Sequence, residues 1–171
     1  MTIAVIIDAI TNSVLEVKTN KTFETEVLPL SQQEALKIHK QDGWNFNWKS
    51  ESKEKDRELY KLVIEGNTKI QGLLSLEVMD SYVEMHLIEN APHNYGSGKK
   101  YAGGAANLVA FTCKRSFELG FEGFISFRAK TQLIEHYRET LGAEVIFKDR
   151  MQIATASAKK LVNSYYKKFR L

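Results

Sequence analysis

Ser81-Tyr82-Val83-Glu84-Met85-His86-Leu87-Ile88 runs into Glu89-Asn90-Ala91-Pro92, and a Gly/Lys-rich loop then closes on Lys100-Tyr101-Ala102-Gly103-Gly104-Ala105-Ala106. The first segment has the composition of a strand, and the Pro-containing segment stops it. The last opens a helix in which Ala105, Val109, Cys113 and Phe117 recur every four residues, opposite Lys114, Arg115 and Glu118. A helix start presents unpaired backbone N–H groups and the positive end of the helix dipole. Glycines let a ligand approach the backbone, so the junction either holds a phosphate or is simply a flexible turn; the two lysines before it favour phosphate.

Working outward, Leu119-Gly120 ends that helix and Gly123-Phe124-Ile125-Ser126-Phe127 is a short buried strand. Thr131 is placed to cap a helix through Leu141, stopped by Gly142. Residues 144–147 and 151–155 form a hairpin about Lys148-Asp149-Arg150, and Ala158 to Phe169 is a last helix with Leu161, Val162, Tyr165 and Phe169 on its apolar side. Upstream, residues 58–65 and 69–78 are strands that make an antiparallel meander with the strand at Val83. Thr2 to Leu28 holds two strands turning at Lys18-Thr19-Asn20-Lys21. Ser31-Gln32-Gln33-Glu34 has capping-box spacing for a helix to about Lys40, and Trp44 to Asp56 is a loop. A meander followed by a strand–helix–strand crossover predicts an α/β (α+β) fold. Its central sheet is mixed but mostly antiparallel, with helices on both faces and the strand at Phe124 parallel to that at Val83.

The 171 residues fit one domain, 1–171, and at 43% hydrophobic and 26% charged the chain is globular rather than disordered. The single cysteine, Cys113, favours a reducing compartment, and no apolar run approaches membrane-spanning length, so a soluble cytoplasmic protein is expected. The net charge of +3 is uneven: from Asp149 onward six Lys/Arg face one acid, leaving −2 on the preceding 148 residues. That basic tail is either a docked helix with a solvated face or an attraction for RNA.

These residues resemble the GNAT superfamily of N-acetyltransferases, most clearly over 58–148. Lys100-x-x-Gly103-x-Ala105 is similar to the family's Arg/Gln-x-x-Gly-x-Gly/Ala loop, whose amides hold the pyrophosphate of acetyl-coenzyme A. The resemblance therefore implies cofactor contacts from Lys100, Tyr101, Ala102, Gly103, Gly104 and Ala105. His136-Tyr137-Arg138-Glu139-Thr140-Leu141-Gly142-Ala143 resembles the family's Tyr-x-x-x-Gly-Phe segment, which makes Tyr137 the general acid for the departing thiolate. The strand ending at Ile88-Glu89-Asn90 is similar to the one that splays from its neighbour and pairs with pantetheine, so Ile88 and Asn90 are expected at the cofactor. Lys130 stands where many relatives have Asn near pantetheine. The departures are a longer loop between Pro92 and Gly103, Ala143 for the usual Phe, and Asn90 at a usually aliphatic position.

The chemistry so implied is direct attack of a primary amine on the thioester, which needs positioning, a base and an acid. Glu84 or Glu89 is the expected base, with His86 third; a glutamate on a strand is equally a paired surface group. The acceptor is a small molecule, a peptide or an aminoacyl-tRNA. Trp44, Phe46 and Trp48 alternate, and either wall an acceptor pocket or pack the interior. Cys113 falls on the apolar line of its helix and is core. His39, His93 and His136 lack metal-ligand spacing, so no metal is expected. Aromatic strand edges and the terminal helix are compatible with a homodimer. The alternative function is a non-catalytic module on the same fold that binds an acyl-coenzyme A, a protein partner or RNA.

Overall fold

A computed structural model describes residues 13–166, 169 and 171. The expected first strand lies outside them from Thr2 to Asn12, as do Lys167, Lys168 and Arg170 of the basic tail. Strands β1 (Ser13–Glu16) and β2 (Thr22–Pro29) pair antiparallel, with Asn20 left-handed (φ 63°) in the expected turn. Ser31 and Glu34 form both bonds of the capping box, but helix α1 spans only Gln32–Ala35. Lys37 and Ile38 already bond three residues back, and a 3-10 turn at Lys40–Asp42 ends on left-handed Gly43. Only Ala35 of α1 is fully buried and Leu36 is exposed, with Ile38 partly buried against the same core, so a longer helix has little apolar face to bury.

The stretch expected to be a loop, 44–56, contains a helical turn. Asn47 accepts from the Ser50 amide and starts α2 (Trp48–Glu51), whose Trp48 is fully buried. The meander is present as β3 (Arg57–Ile64), β4 (Ile70–Val78) and β5 (Val83–Asn90). Residues 101 and 102, expected to lead straight into a helix, form a short strand β6 (Tyr101–Ala102) on β1 before α3 (Gly104–Glu118) begins. Then follow β7 (Ile125–Arg128), α4 (Ile134–Leu141), β8 (Glu144–Phe147), β9 (Arg150–Ile153) and α5 (Thr155–Tyr165). Thr131 makes no capping bond and instead begins a 3-10 turn, Thr131–Leu133. Helix α5 starts three residues earlier than its apolar stripe suggests, with the Thr155 hydroxyl bonded to the Glu122 carbonyl.

The described strands form one sheet in the order β6-β1-β2-β3-β4-β5-β7-β9-β8. Every pairing is antiparallel except β5 with β7, the crossover pair joined through α3. On one face α3 and α5 cover a core of Leu62, Leu74, Leu76, Val83, Met85, Ile125 and Phe127. On the other, α1 and α2 cover Leu73 with Ala35, Trp44 and Trp48. Helices thus lie on both faces, and no helix among the described residues is long and apolar enough to cross a membrane.

Two irregularities of β5 open the sheet beside it. Between Met85, opposite Leu76, and Leu87, opposite Ser75, His86 is an extra residue, a β-bulge. The parallel pairing with β7 also stops at Met85 opposite Phe127, although β5 runs on to Asn90. From His86 onward one edge of β5 therefore has no strand beside it among the described residues.

Candidate active site

The gap between the unpaired end of β5 and the end of β7 is a cleft of about 380 Å³. It passes from one face of the sheet to the other. Ile88 packs toward the α3 core and Leu87 toward the Trp48 core, and both line the cleft. Ala105, Ala106 and Val109 of α3 and Tyr137 and Leu141 of α4 wall it on the first side. His86, Asn45, Phe46 and Tyr95 border it as well, and Arg128, Ala129 and Lys130 close it along β7.

The start of α3 is built for close approach. Gly103 is left-handed (φ 95°) and supplies no capping side chain. The first intrahelical bond runs from the Asn107 amide to the Gly103 carbonyl, so the amides of Gly104, Ala105 and Ala106 are not used within the helix. A Cβ on Gly104 would stand 2.8 Å from Asn90 Oδ1, so glycine there lets the helix start seat against the end of β5. The amides just before are committed: Lys100 N–H donates to the His93 carbonyl and Tyr101 N–H to Asn94 Oδ1 (3.0 Å). Lys100 is exposed, with its ammonium 5.4 Å from the Tyr101 ring centre. Any phosphate cradle here is therefore confined to the helix start, and Lys100 and Tyr101 do not contribute their backbone to it.

Tyr137 is fixed from two directions. Its ring stands edge-on to Phe127 of β7, 5.7 Å between centres at 90°. Its carbonyl accepts from Gly142, whose left-handed backbone (φ 67°) ends α4. Burial pushes its hydroxyl above the usual phenol range, which keeps the proton on oxygen at neutral pH. Tyr95 is the second phenol at the cleft. Burial and the nearby Glu89 raise it, opposed by the Asn45 side chain and the Asn90 backbone beside its oxygen.

No protein-family model matches the sequence, and no curated relative matches it. Solved structures do. An AtaT–AtaR complex bound to DNA superposes with a TM-score of 0.59 over 80% of this chain and 98% of that one, at 16% identity. A chimera of the spermidine N-acetyltransferase SpeG from Vibrio cholerae and hSSAT gives 0.53 over 79% and 98%, also at 16%. The ribosomal-protein-S18-alanine N-acetyltransferase of Escherichia coli gives 0.54 over 75% and 92%, at 14%. The fold is that of the GNAT N-acetyltransferases.

On this GNAT frame, the residues expected at the cofactor divide into two groups. Ile88, Asn90, Ala105 and Lys130 line the cleft together with Tyr137. Lys100, Tyr101, Ala102, Gly103 and Gly104 do not; the first two are tied into the loop and Ala102 packs in the core. Of the aromatic trio, Phe46 is at the cleft while Trp44 and Trp48 are interior.

The two glutamates expected as base are both engaged elsewhere. Glu84, on β5 before the bulge, is nearly buried and accepts from Arg150 Nη2 at 2.5 Å. The same guanidinium nitrogen donates to Ser126 Oγ at 2.8 Å, and Glu84 does not border the cleft. These residues lie by a wider, more open depression of about 670 Å³ at the opposite ends of β5 and β7, where the strands are still paired. Glu89, 2% exposed, accepts from the amides of Asn45 (2.5 Å) and Phe46 (3.2 Å) and from Trp48 Nε1 (2.8 Å). It ties the 45–48 segment to the end of β5, and its lone pairs face those donors. His86 is at the cleft, with Nε2 2.9 Å from Glu77 Oε1.

Sequence patterns do not single out Asn45, Tyr95 or Glu77. The first two lie in connecting segments with no periodicity, and Glu77 meets His86 only through the register of β4 on β5.

Proposed function

We propose that this protein is an acetyl-coenzyme A-dependent N-acetyltransferase acting on a primary amine. The observation that carries the reading is the splay of β5 from β7, bordered by the free amides at the start of α3 and by the half-buried Tyr137. When bound, acetyl-coenzyme A supplies a thioester whose carbonyl carbon forms a bond to the amine nitrogen as the C–S bond breaks. The amides of Gly104, Ala105 and Ala106, with the positive end of the α3 dipole, hold the pyrophosphate. The unpaired edge of β5 about Ile88 gives backbone hydrogen bonds to pantetheine. Lys130 adds charge beside it. Tyr137 delivers its proton to sulfur, a role suited to a phenol that burial keeps protonated.

The acceptor enters from the side of Asn45, Phe46 and Tyr95. The cleft lining includes Arg128 and Lys130 but no Asp or Glu among the described residues. Nothing there matches the further cationic centres of a polyamine, so a peptide amine or the amine of an aminoacyl-tRNA is the better fit.

The test is a thermal melt with acetyl-coenzyme A and, separately, ATP. At about a hundred times the dissociation constant a ligand stabilises by about 2.7 kcal/mol, or about 5–11 °C for a domain of this size. A shift with acetyl-coenzyme A alone, followed by Tyr137→Phe lowering turnover while leaving that shift intact, is the expected result. No shift at saturation defeats the reading. A shift without turnover on peptide, polyamine or aminoacyl-tRNA points instead to a non-catalytic acyl-coenzyme A-binding module.

A further inference from the structure

With Glu84 and Glu89 committed to other partners, the geometry points to His86, oriented by Glu77, as the group that takes the proton from the acceptor amine. This rests on the acetyl-transfer reading above. His86 is the bulged residue of β5, and a bulge turns a side chain out of the regular alternation. Arg57 Nη1 donates to Glu77 Oε1, the same oxygen that faces His86 Nε2, so that oxygen acts as an acceptor and the geometry places the ring hydrogen on Nε2. That leaves Nδ1 as the basic nitrogen. No other hydrogen bond to the ring exists among the described residues, and the side chain is 27% exposed at the cleft.

Glu77 is itself held in place from three elements. Arg57 Nη1 of β3 donates to it at 2.7 Å, and Arg57 Nε donates to Glu51 of α2 at 2.9 Å. Ser75 Oγ of β4 closes the chain on Glu51 at 2.6 Å. Of the other charged groups nearby, Arg128 of β7 pairs with Asp149 and Glu84 with Arg150, while Lys130, which also lines the cleft, is exposed and has no ion pair among the described residues. Glu77 is thus a positioning residue in the manner of the carboxylate behind a general-base histidine.

The proton inventory closes. An ammonium acceptor loses one proton to His86 Nδ1, and the imidazolium later releases it to water. The freed lone pair forms the C–N bond as the C–S bond breaks, and sulfur leaves with the C–S bonding pair and takes the Tyr137 proton. The phenolate regains a proton from the new amide nitrogen, leaving amide and thiol.

The experiment begins with the 15N imidazole spectrum of the whole protein, in which the His86 signals among the four histidines are assigned by their loss in His86→Gln. The expected wild-type state is the Nε2–H tautomer. In Glu77→Gln, whose carboxamide presents either a donor or an acceptor, the expected state is a mixture. Kinetics then use acetyl-coenzyme A with a peptide amine and an aminoacyl-tRNA. His86→Gln should lower kcat by about 10²–10⁴-fold, the range of general-base catalysis. KM and coenzyme A affinity should stay unchanged, and Glu77→Gln should fall between it and wild type. An Nδ1–H tautomer in the wild type, or wild-type kcat in His86→Gln, overturns the assignment alone. Failure of the wild-type protein to bind coenzyme A removes the acetyl-transfer reading and this inference with it.

Discussion

Replacing Glu89 by Gln separates a tether from a catalyst. The side chain sits under the acceptor side of the cleft, 2% exposed, with three N–H donors around it and no ion pair among the described residues. A carboxamide has one oxygen and one NH2. If the oxygen serves Phe46 and Trp48, the NH2 meets the Asn45 amide head-on; the flipped rotamer abandons two donors. The least loss is one hydrogen bond to a charged group, about 1.5–3 kcal/mol, and the bonds that remain weaken as they become neutral. Burying an amide in place of a carboxylate offsets part of this, so the net is about 2–3 kcal/mol. At about 2–4 °C per kcal/mol for a chain of this length, the midpoint should drop by about 4–12 °C. Amide hydrogen exchange at Asn45 and Phe46 should accelerate as well. A melt within about 1 °C of wild type, with both amides still protected and kcat lost, would refute the tether and return Glu89 to the role of base.

Other substitutions probe the remaining walls. Gly104→Ala should weaken coenzyme A affinity roughly tenfold, read by titration calorimetry, because the new Cβ falls 2.8 Å from Asn90 Oδ1; alanine's helix advantage of about 1 kcal/mol keeps the melt near wild type. Gly142→Ala should lower stability by at least about 1–2 kcal/mol from the left-handed backbone alone, and more from Ser157 Oγ, which would lie 2.5 Å from the added carbon. It should also reduce turnover, because Gly142 fixes the carbonyl of Tyr137. His93 gives an acid-side prediction: burial, then Lys69 and Lys100, hold its imidazole below the ordinary 6.5. The native state then binds fewer protons than the unfolded chain, so this contribution is full above about pH 6.5 and lost as pH falls through the lowered folded value. Denaturant melts of His93→Gln across pH 5–8 should show a flatter acid side. Cys113, fully buried with burial pushing its thiol up, should react with a thiol reagent only once the protein unfolds.

The parts of the fold legible in the sequence are those set by near neighbours. The capping box at Ser31, the meander, the glycine-bounded α3 and the parallel placement of β7 on β5 all follow from spacing over a few residues or from crossover handedness. What escaped depends on distant partners. Trp48 lies in a polar, aromatic stretch whose pattern says little, and its helix is held by Glu89, 41 positions away. Tyr101 and Ala102 look like the run-up to a helix, yet β1 and the Asn94 side chain capture them first. The candidate cleft divides in the same way. Tyr137, Ile88, Asn90 and Ala105, expected from motifs, border one cleft, whereas the surroundings of each acid depend on what the sheet sets opposite it: Arg150 for Glu84, and a loop of donors for Glu89.

The bulge at His86 explains how one strand serves two sides of a cleft. Before it, Val83 and Met85 face α3 while Glu84 faces the opposite way. Strict alternation would carry Leu87 and Glu89 to the α3 face and leave Ile88 and Asn90 on the other. The extra residue reverses this. Ile88 packs toward α3 and Asn90 meets Gly104, whereas Leu87 joins the Trp48 core and Glu89 reaches the 45–48 segment. The two apolar cores thus continue without a break, and β5 leaves β7 just where its facing changes. The residue inserted to make that change is the one that stands at the cleft on a carboxylate. The local irregularity that opens the sheet, assigns its faces and presents an imidazole is therefore a single event in the chain, and a regular β5 would lose all three together.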